Sequence, residues 1–63
     1  MMAYVLYTDG WPAGVFASYA EIAELLGVSL SSARWYGTAE AKRRGVRNVV
    51  QRVEVDEFME KVN

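Results

Sequence analysis

A chain of 63 residues without cysteine or histidine has few ways to stabilise a fold, and it has room for a single domain. A domain of this size buries only about 60% of the surface that its unfolded chain exposes. Many small domains compensate with disulfides or a structural metal. Disulfides are excluded here, and zinc is disfavoured because it prefers cysteine and histidine ligands. What remains is self-association or a well-packed core, for which 52% hydrophobic residues provide the material.

The same absences limit the chemistry that the chain can perform. Most nucleophile–base pairs and metal sites need histidine or cysteine, and so short a chain has little room for a pocket that encloses a substrate. We therefore expect no enzymatic activity, no cofactor and no small-molecule substrate. The sequence has no secretory signal pattern and no apolar run of the roughly 18 residues that span a bilayer. We expect a cytoplasmic protein with no membrane partner.

The net charge of −1 conceals an uneven distribution of charges along the chain. Residues 34–52 contain six basic residues and one acidic residue, Glu40, whereas the segments on both sides are acidic. The basic residues are Arg34, Lys42, Arg43, Arg44, Arg47 and Arg52. Because attraction to phosphate depends on local charge more than on net charge, this segment favours nucleic-acid binding. The alternative is a solvated charged loop around residues 42–47.

Residues 1–17 have the pattern of a β-hairpin. Residues 3–7 are aromatic and β-branched, which predicts a strand, and residues 15–17 predict a short returning strand. Residues 8–14 contain two glycines and a proline, which predicts a connection longer than a two-residue turn. An isolated hairpin is barely stable in water, so we expect this one to pack against helices or a third strand.

A pair of short helices is predicted over residues 18–36. Ser18 and Glu21 form a Ser-x-x-Glu capping box, and apolar residues at positions 19, 22, 23 and 26 give the first helix one buried face. Gly27 fits the left-handed position that ends a helix. Ser29 is a suitable N-cap for a second helix, which should begin near residue 30 and reach at least residue 36.

The remaining residues predict another helical turn, a strand and a last helix. Thr38 can cap a helical turn that Gly45 would end. Residues 48–55 predict a strand with Val49, Val53 and Val55 on one face. Asp56 can cap a final short helix over residues 57–62, with Phe58 and Val62 facing inward.

These elements predict an α+β fold in the order β-β-α-α-β, with an additional short helix at the C terminus. Three strands would form a small antiparallel sheet against the helix pair. The single domain divides into a hairpin (1–17), the helix pair (18–36), a basic segment (37–47), and a strand with a short helix (48–63).

The segment Ser18-Tyr-Ala-Glu-Ile-Ala-Glu-Leu-Leu-Gly-Val-Ser-Leu-Ser-Ser-Ala-Arg-Trp-Tyr36 resembles the helix-turn-helix superfamily of DNA-binding proteins. In that resemblance Ala23 lets the second helix approach closely, Gly27 allows the sharp turn and Val28 is the buried turn residue. Two helices joined in this way cross steeply and leave one face of the second helix free for the major groove. The alternative is a helical hairpin with a structural or protein-binding role.

Both ends of the chain carry narrower resemblances. The stretch Val-Glu-Val-Asp-Glu-Phe-Met-Glu-Lys resembles the ending of excisionase-like winged helix-turn-helix domains. The aromatic N-terminal hairpin resembles small phage- and prophage-encoded domains of Gram-positive bacteria. The sequence departs from the excisionase pattern because residues 39–48 contain no obvious paired strands for a wing. These resemblances imply a role in transcription regulation or in phage or mobile-element recombination.

The helix-turn-helix resemblance makes the second helix the recognition helix. Its outward positions would be Ser29, Leu30, Ser31, Arg34, Trp35 and Thr38. Ser29 and Ser31 are candidates for phosphate contacts at the helix N-terminus. Arg34 is the candidate for a base contact, since arginine to guanine is the commonest specific pairing. A salt bridge to Glu24 or Glu40 is its alternative.

The other candidate site residues have supporting roles. Trp35 would contact a sugar or a thymine methyl group, or else pack half-buried against the hairpin. The basic residues that follow the helix pair would contact phosphates without reading sequence. They are Lys42, Arg43, Arg44 and Arg47.

Double-stranded DNA is therefore the expected partner, together with a second copy of the chain in a homodimer or higher homo-oligomer. One short recognition helix binds weakly, and symmetric operators suit dimers. The rival interpretation is a protein-interaction module of the adaptor or antitoxin type, without DNA binding. It would use an aromatic surface made of Tyr4, Tyr7, Trp11 and Trp35.

Overall fold

Three strands and three helices make up residues 1–55, the part of the chain that this computed structural model describes. The strands are β1 (Met2–Thr8), β2 (Trp11–Phe16) and β3 (Asn48–Glu54). The helices are α1 (Tyr19–Leu26), α2 (Leu30–Trp35) and α3 (Ala39–Arg44). The observed order β-β-α-α-α-β confirms the predicted α+β class.

The helical region differs from the prediction in two respects. The second helix ends one residue earlier than expected, because Tyr36 is its C-cap. The helical turn predicted after Thr38 is the complete helix α3, which the order β-β-α-α-β did not count. The final helix predicted over residues 57–62, with Phe58 and Val62, lies outside the described residues.

A tight turn of two residues joins β1 to β2. Asp9 and Gly10 have φ angles of 53° and 84°, and two successive positive φ values are what a type I′ hairpin turn requires. The expectation of a longer connection over residues 8–14 is therefore wrong. The returning strand begins at Trp11, not near residue 15.

The proline that suggested a longer loop lies inside β2. Pro12 is opposite Tyr7, and the next pair of the ladder joins Gly14 to Leu6, so Ala13 is an extra residue in a bulge. The sheet order is β2-β1-β3, which makes β2 an edge strand. An edge strand tolerates proline because its outer side donates to no neighbour.

Helices α1 and α2 cover one side of this antiparallel sheet. Leu6 of β1 is buried against them, and so is Val50, its partner on β3. Side chains alternate along a strand, so Val49 and Val53 face the other side. Val49 and Val53 therefore share one face of β3, as the sequence predicted, and that face lies opposite the core.

The other side of the sheet is almost entirely apolar. Alternate residues of β1 face this side, and so do the residues of β2 and β3 that pair with them. We call it the outer sheet face, and it comprises Ala3, Val5, Tyr7, Pro12, Val15, Val49, Gln51 and Val53.

The core lies between the sheet and the pair α1–α2. Its buried residues come from β1, α1, α2 and β3, and they are Leu6, Ile22, Ala23, Ala33 and Val50. Two of them are alanines, Ala23 on α1 and Ala33 on α2. Small side chains at a helix crossing let the two backbones approach closely, as the sequence predicted for Ala23.

The segment between α2 and α3 packs against α1 through a glycine. A Cβ atom at Gly37 would overlap the hydroxyl oxygen of Tyr19 and lie 3.1 Å from its Cζ. The Tyr19 ring has little freedom to move, since its centroid lies 4.5 Å from that of Tyr4. Position 37 therefore has no room for a side chain while Tyr19 keeps its hydroxyl group.

We expect Gly37→Ala to lower the free energy of unfolding by about 1–3 kcal/mol, the usual cost of overpacking. Urea denaturation measures the loss. In a Tyr19→Phe background the same substitution should cost less, because the overlapping oxygen is gone. Equal losses in the two backgrounds would show that the hydroxyl contact is not the cause.

Candidate nucleic-acid interface

The helix pair begins at a capped N-terminus. The Ser18 hydroxyl accepts a hydrogen bond from the backbone N–H of Glu21 at 3.3 Å. The Glu21 carboxylate accepts from the backbone N–H of Ala17 at 2.8 Å. This is the predicted capping arrangement with the return bond moved one residue toward β2, and it ties the start of α1 to the end of the hairpin.

The turn between α1 and α2 is closed by two backbone hydrogen bonds. Gly27 has a φ of 68°, and its N–H donates to the carbonyl oxygen of Glu24 at 3.3 Å. The N–H of Val28 donates to the carbonyl oxygen of Ala23 at 3.0 Å. Together they form a Schellman motif, which fixes the direction in which the chain enters α2.

Two serines hold the N-terminus of α2. The Ser29 hydroxyl oxygen accepts from the backbone N–H of Ser32 at 3.1 Å and lies 3.0 Å from the Ser32 hydroxyl. The predicted cap is confirmed, and it engages the Ser29 hydroxyl. Ser31 is exposed beside it. That either serine contacts phosphate stays a prediction.

One side of α2 is turned to solvent. Leu30, Ser31 and Arg34 are exposed, whereas Ala33 is completely buried. Trp35 is half-buried, with its ring in an edge-on arrangement 6.1 Å from the ring of Tyr36. Only part of the tryptophan is therefore available to a partner. We define the α2 face as Leu30, Ser31 and Arg34.

Arg34 is the charged residue of the α2 face. Within residues 1–55 its guanidinium group forms no ion pair, so neither Glu24 nor Glu40 neutralises it. Its five N–H donors can therefore bind a planar acceptor without first breaking a salt bridge. This is the arrangement that a base contact needs.

Thr38 connects α2 to α3. Its hydroxyl donates to the carbonyl oxygen of Trp35 at 2.6 Å and accepts from the backbone N–H of Ala41 at 3.2 Å. The residue is exposed, but both bonds serve the helix junction. At the far end of α2, the carbonyl oxygen of Tyr36 accepts from the N–H of Val50 at 3.0 Å. The α2 face is therefore anchored to the sheet.

The four basic residues that follow the helix pair have different partners in the structure. Arg43 and Arg44 both pair with Glu40, and Arg44 Nε lies 2.8 Å from Glu40 Oε1. Lys42 Nζ donates to Gln51 Oε1 on β3 at 3.0 Å. All three basic side chains are exposed.

Arg47 lies at the hairpin end of the sheet. Its Nε is 3.2 Å from a carboxylate oxygen of Asp9, and its carbonyl oxygen accepts from the Asp9 N–H at 2.8 Å. The sequence did not predict this contact, because the residues are far apart in the chain. The basic segment is therefore less positive locally than its composition indicates.

Arg52 completes the basic set. It is exposed on β3, and within residues 1–55 it forms no ion pair. The sequence placed it among the six basic residues of positions 34–52 but not among the candidate site residues. Arg34 and Arg52 are thus the arginines of the described chain whose charge no carboxylate offsets.

Among residues 1–55 no helix is long and apolar enough to cross a membrane.

A family model described as Domain of unknown function (DUF8658) matches residues 15–62. The match takes in all three helices, β3 and the end of β2, which is more than half of the chain. No curated protein and no solved structure matches the sequence. The chain belongs to the family Domain of unknown function DUF8658.

Proposed function

We propose that this protein binds double-stranded DNA in a sequence-specific manner, with the α2 face in the major groove. The proposal includes a cytoplasmic role in transcription regulation or in recombination of a phage or mobile element. It rests on the helix-turn-helix resemblance of residues 18–36 and on the geometry of the helix pair. It involves no catalytic step and no cofactor.

The observation that carries the proposal is the unpaired guanidinium group of Arg34 on an exposed helix face. A carboxylate near an exposed arginine can pair with it and offset its charge. In this chain Glu40 pairs with Arg43 and Arg44 instead, and Arg34 has no ion pair within residues 1–55. A guanine presents two acceptors, O6 and N7, that match the fork of an arginine.

The length of α2 limits how much sequence one copy can read. Six residues at about 1.5 Å each give a helix of about 9 Å. This distance corresponds to about three base pairs at 3.4 Å per step. A dimer that reads two half-sites would double the contact, and for this reason we include a homodimer in the proposal.

The basic residues of α3 supply the phosphate contacts in this account. Lys42, Arg43 and Arg44 lie in the last turn of the helix, and all are exposed. Exposed ion pairs such as those with Glu40 contribute only about 0–1 kcal/mol. A phosphate with a full negative charge can therefore compete with Glu40 for both arginines.

Changing Lys42, Arg43 and Arg44 together to alanine should weaken binding to every duplex by a similar factor. The slope of log K against log salt should become shallower by about 0.9 for each phosphate that the protein no longer neutralises. Fluorescence anisotropy of a labelled duplex over a salt series measures both quantities. The opposite control is Glu40→Gln, which releases two guanidinium groups and should tighten binding. If the triple variant kept the full salt slope, α3 would not be the phosphate-binding element.

A second candidate function, protein–protein interaction, is favoured by the outer sheet face. Seven of its eight residues are apolar, and α1 and α2 pack on the opposite side of the sheet. Trp11, at the start of β2, is 77% exposed. The four aromatic residues that the sequence predicts for this function do not share one surface, because Tyr4 faces the core and Tyr7 lies on the outer sheet face.

A further inference from the structure

Leu30 is the apolar residue of the α2 face, whose other two residues are polar. It opens α2 and is 41% exposed, beside Ser31 and one helical turn before Arg34. It belongs neither to the buried core nor to the partly buried side chains packed against that core. The fold does not use this side chain in its core, so its exposed methyl groups are available to a partner.

The position of Leu30 relative to Arg34 defines what such a partner must present. Residues four apart lie on the same side of a helix, and they are separated by about 6 Å along its axis. Successive base pairs are about 3.4 Å apart. When the α2 face lies along the groove, the two side chains therefore meet base edges about two steps apart.

We propose that Leu30 contacts the C5-methyl group of a thymine about two base pairs from the guanine that Arg34 contacts. This inference rests on the proposed function and names the bases that the α2 face selects. Among the four bases, only thymine presents an apolar group in the major groove. Leucine has no donor or acceptor, so against any other edge it would cover polar atoms without bonding them, which is unfavourable.

The test uses a duplex selected by the full chain from a random library. Each thymine of that site is replaced in turn by deoxyuridine, which removes only the C5-methyl group, and anisotropy gives the dissociation constant. At one position the wild-type chain should bind about fourfold more weakly, the factor that corresponds to about 0.8 kcal/mol for one buried methyl-sized group. Leu30→Ala should bind the thymine and deoxyuridine duplexes equally well at that position.

Leu25→Ala is the matched control. Leu25 is 60% exposed, and it lies on α1 outside the α2 face. This variant should keep the wild-type preference for thymine over deoxyuridine. Circular dichroism verifies that both leucine variants are folded.

The outcomes separate this inference from the function on which it rests. If the wild-type chain binds duplex DNA but no deoxyuridine substitution weakens binding, the thymine contact is wrong and DNA binding stands. If Leu30→Ala keeps the thymine preference, another residue makes the contact. If the wild-type chain binds no duplex at low salt, the proposed function fails, and this inference fails with it.

Discussion

Replacing Ile22 by alanine should remove a large part of the stability of this domain. Ile22 is completely buried at the centre of the core, between the sheet and α2. Truncation of a buried isoleucine to alanine typically costs about 2–5 kcal/mol. At about 0.05–0.15 kcal/mol per residue, a domain of 63 residues has only about 3–9 kcal/mol in total. In a domain of this size each kcal/mol shifts the midpoint Tm by about 4–8 °C.

Thermal unfolding followed by circular dichroism tests this expectation. The Tm of Ile22→Ala should fall by about 10 °C or more, or the variant should be unfolded at room temperature. Leu25→Ala is the matched control on the same helix, because Leu25 is 60% exposed and its truncation should cost less than about 0.5 kcal/mol. Similar Tm values for the two variants would mean that the core is not where the structure has it.

Replacing Arg34 by alanine should have the largest effect on DNA binding of any single substitution. A bidentate arginine–guanine contact contributes about 1–3 kcal/mol of discrimination. That energy corresponds to about a 5- to 150-fold larger dissociation constant for the selected site. On a random duplex the effect should be much smaller, since only one charge is removed. Arg34→Ala should therefore reduce specificity more than it reduces general affinity.

Arg52→Ala is the control for charge. Arg52 is also exposed and without an ion pair among the described residues, but it lies on β3 and not on α2. Its removal should weaken binding to selected and random duplexes by the same small factor. Arg34→Lys keeps the charge and loses the bidentate geometry, and it should behave like Arg34→Ala on the selected site. If Arg34→Ala and Arg52→Ala lowered affinity equally on both duplexes, Arg34 would not read a base.

The helix pair could be predicted from the sequence because its ends depend on local chemistry. Ser18 and Ser29 cap the helices by bonding a backbone N–H three residues ahead, and Gly27 ends α1 in the left-handed conformation. Each of these signals acts over a few residues, so the amino-acid order is enough to identify it. The bounds of α1 agree with the prediction.

The hairpin and the inward face of β3 could not be predicted in the same way. Asp9 and Gly10 alone indicate a two-residue turn, but Pro12 suggested a loop because its place on an edge strand depends on the complete sheet. On β3 the adjacent residues Val49 and Val50 are identical in type. Only the pairing of Val50 with Leu6 decides which of them faces the core.

The ion pairs of the candidate site could not be predicted from the sequence either. The sequence identified the basic residues, but not that Glu40 pairs with both Arg43 and Arg44. The contact between Arg47 and Asp9 joins residues that only the β1–β3 pairing brings together. Such contacts depend on tertiary structure, and they leave Arg34 as the distinctive cation of the α2 face.

The most direct test of DNA binding is the fluorescence anisotropy of a labelled random-sequence duplex, titrated with the full chain at low and at physiological salt. We expect binding at low salt that weakens steeply as salt rises, because phosphate contacts release counterions. Unlabelled duplex should compete with the labelled one. An anisotropy that stays unchanged at low salt would contradict the account, and the outer sheet face would then become the surface to examine for a protein partner.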